Sequence, residues 1–148
     1  MRQARKENSY IRKIDYIFYR EKAIRRAVKE VREDSDKPRI RQVGQIGDPT
    51  ATEAIRNMKL LPVVILDNGE RIESPEAWIK VIDKTYEWSK SMRDSRYETA
   101  IRRYRKEEDY RKTCAELNIS QTTYARNIER VRMYAALHAY KLNLIEVL

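Results

Sequence analysis

The residues best suited to chemistry in this chain stand together in LNISQTTYARNIERV, residues 117–131. Ser120, Gln121, Thr122, Thr123, Arg126, Asn127 and Arg130 offer hydroxyls, amides and guanidiniums within about three helical turns. Such groups suit recognition by hydrogen bonding. Gln matches the edge of adenine and Arg that of guanine, while Thr bonds a base or touches the methyl of thymine. Arg103, Arg105, Arg111 and Lys112 lie just upstream, where cations hold phosphates and fix register. The surface these residues suit is double-stranded DNA.

Bond-making chemistry finds no comparable set. The chain has one cysteine, Cys114, and one histidine, His138. A nucleophilic thiol needs a base beside it, and one histidine cannot complete a zinc cluster. There is no phosphate loop and no nucleophile elbow. Asp15, Asp34, Asp36 and Asp48 are scattered and are expected to be solvated or capping groups, not metal ligands. The expectation is a non-enzyme with no catalytic residues, no metal and no cofactor. Cys114 reads as a small buried packing residue, and His138 as a helix-surface or partly packed one.

To act together, the 117–131 residues need a helix-turn-helix, and the sequence supplies its parts. Cys114 is the small residue of a short first helix over 110–117. Asn118 tolerates a left-handed backbone at the turn. Ile119 plugs the corner, and Ser120 caps the second helix. Steps of four and three turn Tyr124, Ile128 and Val131 inward. Gln121, Thr122, Ala125, Arg126, Glu129 and Arg130 are left facing outward, with Thr123 and Asn127 at the margins. Ser120 and the free amides at the helix start can hold a phosphate.

The totals agree with a helical DNA binder. The 148 residues are 41% hydrophobic and 37% charged, with only 3 Gly and 4 Pro. Scarce breakers and many Glu, Lys, Arg and Ala favour helix. The net charge of +9 and a pI near 9.7 point to a polyanionic partner. The longest apolar run, LLPVVIL at 60–66, is far short of the ~20 residues of a membrane span. The first twenty residues carry charge in every turn, unlike a signal peptide. No membrane partner is expected, and the chain reads as cytoplasmic.

The expected fold class is mainly α, with a C-terminal helix-turn-helix and one small β-hairpin in the middle. Three segments follow: a basic N-terminal helix and linker (1–47), central helices with the hairpin (48–93), and the DNA-binding part (94–148). One long helix is expected over 10–31. Its stripe is Tyr10, Ile14, Ile17, Ile24, Val28 and Val31, with Glu21 in the missing position, and its other face carries Arg12, Lys13, Arg20, Lys22, Arg26 and Lys29. Residues 35–50 read as a linker, with Lys37, Arg39 and Arg41 in extended-type sequence. Asp48-Pro49-Thr50 starts a helix to about Leu60. Asp67-Asn68-Gly69 turns a hairpin spanning 61–73. Ser74-Pro75-Glu76 opens a helix to about Met92, apolar around much of its circumference. Tyr97, Ala100, Ile101 and Tyr104 give another, and the tail LNLIEVL is expected to tuck onto a neighbouring helix or a second subunit. The 10–31 helix and this tail are the candidate homo-oligomer contacts.

This layout, with Ala115-Glu116-Leu117-Asn118-Ile119-Ser120-Gln121-Thr122-Thr123-Tyr124 at its C-terminal end, resembles the RinA/ArpU-like regulators of Gram-positive phages and prophages. The resemblance covers most of the chain in layout, and its specific motif is the sigma-region-4-like helix-turn-helix. It implies a transcriptional activator of late genes in a bacterial host, with bacterial RNA polymerase as a further partner. It places Ser120 at the cap, Gln121 and Thr122 at base-reading positions, Thr123 and Tyr124 at a Thr-aliphatic pair, and Arg126 at an exposed basic position. The chain departs from the pattern at Tyr124, where Val or Ile is usual, at Asn118 for Gly, and at Thr113 for an apolar residue. The hairpin is foreign to it. Two other readings compete: a DNA-packaging protein like a small terminase subunit, which is an oligomeric DNA binder, and a helical interaction protein that never meets DNA.

Overall fold

The computed structural model describes the backbone of residues 2–36 and 59–146, with side chains from 9 to 34 and from 59 to 146. Lys37, Arg39, Arg41 and the helix expected after Asp48 lie outside the described residues. Among the described residues the chain is mainly helical, with one two-stranded antiparallel sheet in the middle. The elements run α1 (Arg2–Tyr19), α2 (Glu21–Asp36), β1 (Val63–Ile65), β2 (Arg71–Glu73), α3 (Pro75–Ser91), α4 (Arg96–Ala100), α5 (Tyr110–Leu117) and α6 (Gln121–Lys141). A π-helical turn, Ile101–Arg105, continues α4.

The single helix expected over 10–31 is two. At the break the Arg20 amide bonds the Ile17 carbonyl at 3.0 Å. The Tyr16 carbonyl instead accepts from the Arg20 guanidinium at 3.1 Å, which lies 3.6 Å from the centre of the Tyr16 ring. The side chain thus takes the acceptor that the regular i→i−4 ladder would give to its own amide.

Two compact units form, residues 1–21 with 77–148 and residues 22–76. In the smaller, β1 pairs with β2 in the register Val63↔Glu73, Val64↔Ile72, Ile65↔Arg71. Leu66 and Glu70 close the ladder, the Gly69 amide bonds the Leu66 carbonyl at 2.9 Å, and Gly69 alone in the loop has positive φ, +87°. This is a three-residue loop with its left-handed residue last, not the two-residue turn that Asn-Gly alone suggests. Ile24, Ala27, Val64, Leu66 and Ile72 are buried. Glu76 ties the strand entrance down, taking the Leu61 amide at 3.2 Å and the Arg32 guanidinium at 2.6 Å.

The larger unit is built on α6, which packs against α1, α4 and α5. Ile14, Ile17 and Phe18 of α1, Trp78, Val81, Ile82 and Tyr86 of α3, and Ile128, Val131 and Ala135 of α6 are buried. Phe18 lies against two tyrosine rings, 5.7 Å from Tyr86 and 5.2 Å from Tyr104. Trp88 stacks on Tyr134 at 4.4 Å and 6°, tying α3 to α6. No helix among the described residues is long and apolar enough to cross a membrane.

Candidate nucleic-acid interface

The corner at 117–120 forms because each residue in it ends or starts a helix. The Asp109 carboxylate caps α5, accepting the Arg111 amide at 2.9 Å. Asn118 adopts φ 52° and ψ 49°, and the Ile119 amide reaches back to the Cys114 carbonyl at 3.0 Å. That six-to-one bond stops the helix in a Schellman turn. Ser120 is extended, and its hydroxyl accepts the Thr123 amide at 3.0 Å and donates to the Thr123 hydroxyl at 3.0 Å. Thr113, not Cys114, is the fully buried small residue of α5. Cys114 is half-buried, its sulfur 3.9 Å from the Ser120 carbonyl oxygen. Ile119 is half-buried at the corner.

Beyond the corner, α6 divides as its spacing demands. Tyr124, Ile128 and Val131 are buried, while Gln121, Thr122, Ala125, Arg126, Glu129 and Arg130 are exposed. Arg126 and Arg130 make no ion pair among the described residues, so two cations and two neutral hydrogen-bonding side chains project from the exposed side of α6, with Glu129 beside them. Arg111 and Lys112 are exposed on α5. The Arg111 guanidinium bonds the Tyr110 hydroxyl at 3.3 Å, a contact that raises its pKa above the ordinary arginine value.

Several expected contacts have other work. Asn127 is 4% exposed, and its amide donates to Ser95 Oγ at 2.9 Å and Thr99 Oγ1 at 3.1 Å, pinning α6 to α4. It is not available to DNA. Thr123 is half-buried, with its hydroxyl and amide both on Ser120. Arg105 clasps Glu21 through two bonds of 3.0 and 3.1 Å and lies 4.2 Å from the centre of the Tyr86 ring. Arg103 is half-buried, 3.5 Å from the Tyr124 hydroxyl and 4.0 Å from Asp15. Arg103 is thus engaged from within the fold, while Arg105, itself exposed, is tied to the buried Glu21.

Asp15 is not the solvated carboxylate expected of it. It accepts two bonds from Arg132, at 3.0 and 2.6 Å, and one from the Tyr104 hydroxyl at 2.6 Å. Burial first, and then the Asp15 charge, push the Tyr104 phenol far above its ordinary range. The π turn makes this possible. Its widened bond, from the Lys106 amide to the Ile101 carbonyl at 3.1 Å, lets three consecutive residues each find a partner, Arg103 on α6, Tyr104 on α1 and the exposed Arg105 at Glu21. A second cluster fixes α5, where Arg102 bonds Glu108 at 3.1 Å and also Glu116. The Arg102 bond holds the Glu116 carboxyl below its usual range.

No group of three or more metal-binding side chains occurs among the described residues. No family model, no curated protein and no solved structure matches this chain.

Proposed function

We propose that this chain is a sequence-specific double-stranded-DNA-binding regulator of transcription, with α6 entering the major groove from Ser120 onward. The observation that carries this reading is the exposed set Gln121, Thr122, Arg126 and Arg130, held on one helix by a capped corner in a chain of net charge +9. Side chains near the start of such a helix reach base edges. Arg111 and Lys112 supply backbone contacts that fix register. The Gln121 and Thr122 amides, in the first turn where helix amides lack intrahelical acceptors, favour a phosphate. The resemblance to RinA/ArpU-like regulators makes phage or prophage late genes the target, with bacterial RNA polymerase as a second partner.

The test is to retrieve fragments of the source genome with the purified chain at near-physiological salt, and to sequence them. One sharp peak upstream of a block of genes is the expected result. A peak inside a terminase-region gene identifies a packaging protein instead. No enrichment, with or without polymerase, rejects DNA binding altogether. On the enriched site, Arg126→Ala is expected to weaken binding by about 1–3 kcal/mol. An equal loss on random DNA makes Arg126 a phosphate contact and removes it from base reading.

A further inference from the structure

Glu129 is the one acidic residue among the exposed side chains of α6 from Gln121 to Arg130. It makes no ion pair among the described residues, although Arg126 precedes it by three positions and Arg130 follows it directly. At about 100° of turn per residue, Thr122, Ala125, Arg126 and Glu129 fall within one arc of about 100°, and Glu129 lies near its middle. Gln121 and Arg130 stand about 40° beyond its two edges. Positions i, i+3, i+4 and i+7 are also the spacing at which a helix lying in a major groove presents side chains to bases. Along the axis Glu129 is about 12 Å from Gln121, and the groove is about 12 Å wide. A carboxylate therefore stands in the middle of a face otherwise suited to a polyanion.

We propose that Glu129 is a base-reading residue that selects cytosine, and that the DNA site it completes holds two adjacent G·C pairs. This rests on the DNA-binding reading. An ionised carboxylate only accepts hydrogen bonds. In the major groove guanine offers the acceptors N7 and O6, and thymine offers the acceptor O4, so both repel it. Adenine offers a donor at N6 but sets the acceptor N7 beside it. Cytosine offers the N4 donor with no acceptor of its own alongside. Glu129 thus ranks cytosine first, adenine second, and guanine and thymine last.

Arg126 suits guanine. It lies about 4.5 Å from Glu129 along the helix, close to the step of about 3.4 Å between base pairs. The two side chains therefore meet neighbouring pairs, one read from its guanine by Arg126 and the next from its cytosine by Glu129. The same carboxylate repels phosphates on every sequence. That repulsion is offset only where the cytosine donor meets it, so Glu129 lowers affinity for all other DNA. It discriminates by what it rejects as well as by what it binds.

The test is selection by the full chain from duplexes randomised across the enriched site, for wild type, Glu129→Gln, Glu129→Ala and Arg126→Ala. Glu129 is exposed, so its variants should keep the helical circular dichroism of wild type. Wild type should select two adjacent G·C pairs. Glu129→Gln should turn the selected cytosine to adenine, which a glutamine reads. Glu129→Ala should accept any base there, and Arg126→Ala should relax the neighbouring pair. For Glu129→Ala, the ratio of affinity on the selected site to affinity on random DNA should fall about tenfold or more. Unchanged base preference in both Glu129 variants overturns the proposal, even where affinity for all DNA rises, because Glu129 would then only repel phosphates. Relaxation at a pair not adjacent to the Arg126 one overturns the G·C step. If wild type selects no sequence, the DNA-binding reading fails and the proposal falls with it. If wild type selects a site that both Glu129 variants select equally, the proposal alone fails.

Discussion

Asn127 shows how far one residue's role depends on its neighbours. Its amide bridges the hydroxyl of Ser95, just before α4, and that of the buried Thr99, where a lost bond leaves polar groups less well satisfied. Asn127→Ala should cost about 1–3 kcal/mol in urea unfolding and leave the salt dependence of DNA binding unchanged. A stable variant with weakened DNA binding would return Asn127 to the interface. His138 gives a pH signature. Burial, then the charges of Lys141, Lys80 and Lys84, hold its imidazole below the ordinary value of 6.5. The folded state therefore binds this proton less readily than the unfolded chain. The resulting stability is present above the unfolded pKa and is lost as pH falls through the folded one. As the only histidine, it should show a single NMR titration with a midpoint below 6.5, and His138→Gln should flatten the pH dependence of stability near there. The exposed residues of α6 were legible from the steps of four and three alone. Asn127 was not, because whether a polar residue at the margin of a face is buried depends on what lies opposite, and Ser95 and Thr99 are some thirty positions away. Asp15 was missed for the same reason, its partners being Tyr104 and Arg132. The exchange of Thr113 for Cys114 has a simpler cause. A helix of 8 residues turns about twice, too few for periodicity to separate adjacent positions.

Among the elements, the corner was the most legible, because its signals are local. Asn118 and Ser120 act on amides and carbonyls within a few positions, whereas the Asp109 cap of α5 was not read. The break at Arg20 and the π turn at Ile101–Arg105 were hidden, because each is a side-chain or register choice within an otherwise regular helical pattern. The corner is accordingly the place to test element stability. Ser120→Ala removes the acceptor of the Thr123 amide and should cost about 1 kcal/mol, with Ser120→Gly costing only a few tenths. Asn118 sits in the left-handed region, where a β-carbon is strained. Asn118→Ala should therefore lower the melting temperature and Asn118→Gly hold or raise it. The reverse order would mean that the Asn118 side chain supports the turn through contacts other than its backbone geometry.

Across the whole molecule, the total of 32 Lys and Arg residues overstates the cations free to meet a polyanion. Arg32, Arg96, Arg102, Arg105 and Arg132 are each paired with a carboxylate within the chain. Neutral pairs of this kind release few counterions when DNA arrives, whereas each unpaired cation on a phosphate adds about 0.9 to the salt slope. The slope should therefore follow the exposed cations of α5 and α6, not the total charge. Lys112→Ala should lower affinity on every sequence and flatten the slope of log K against log salt by about one. Arg105→Gln should leave that slope unchanged while lowering stability, because it breaks the two charged hydrogen bonds that Arg105 makes to the buried Glu21. Binding titrations at several salt concentrations, with unfolding measured on the same two variants, separate the roles. An unchanged slope for Lys112→Ala would take α5 out of the interface. A flattened slope for Arg105→Gln would mean that DNA draws this arginine away from Glu21 on binding.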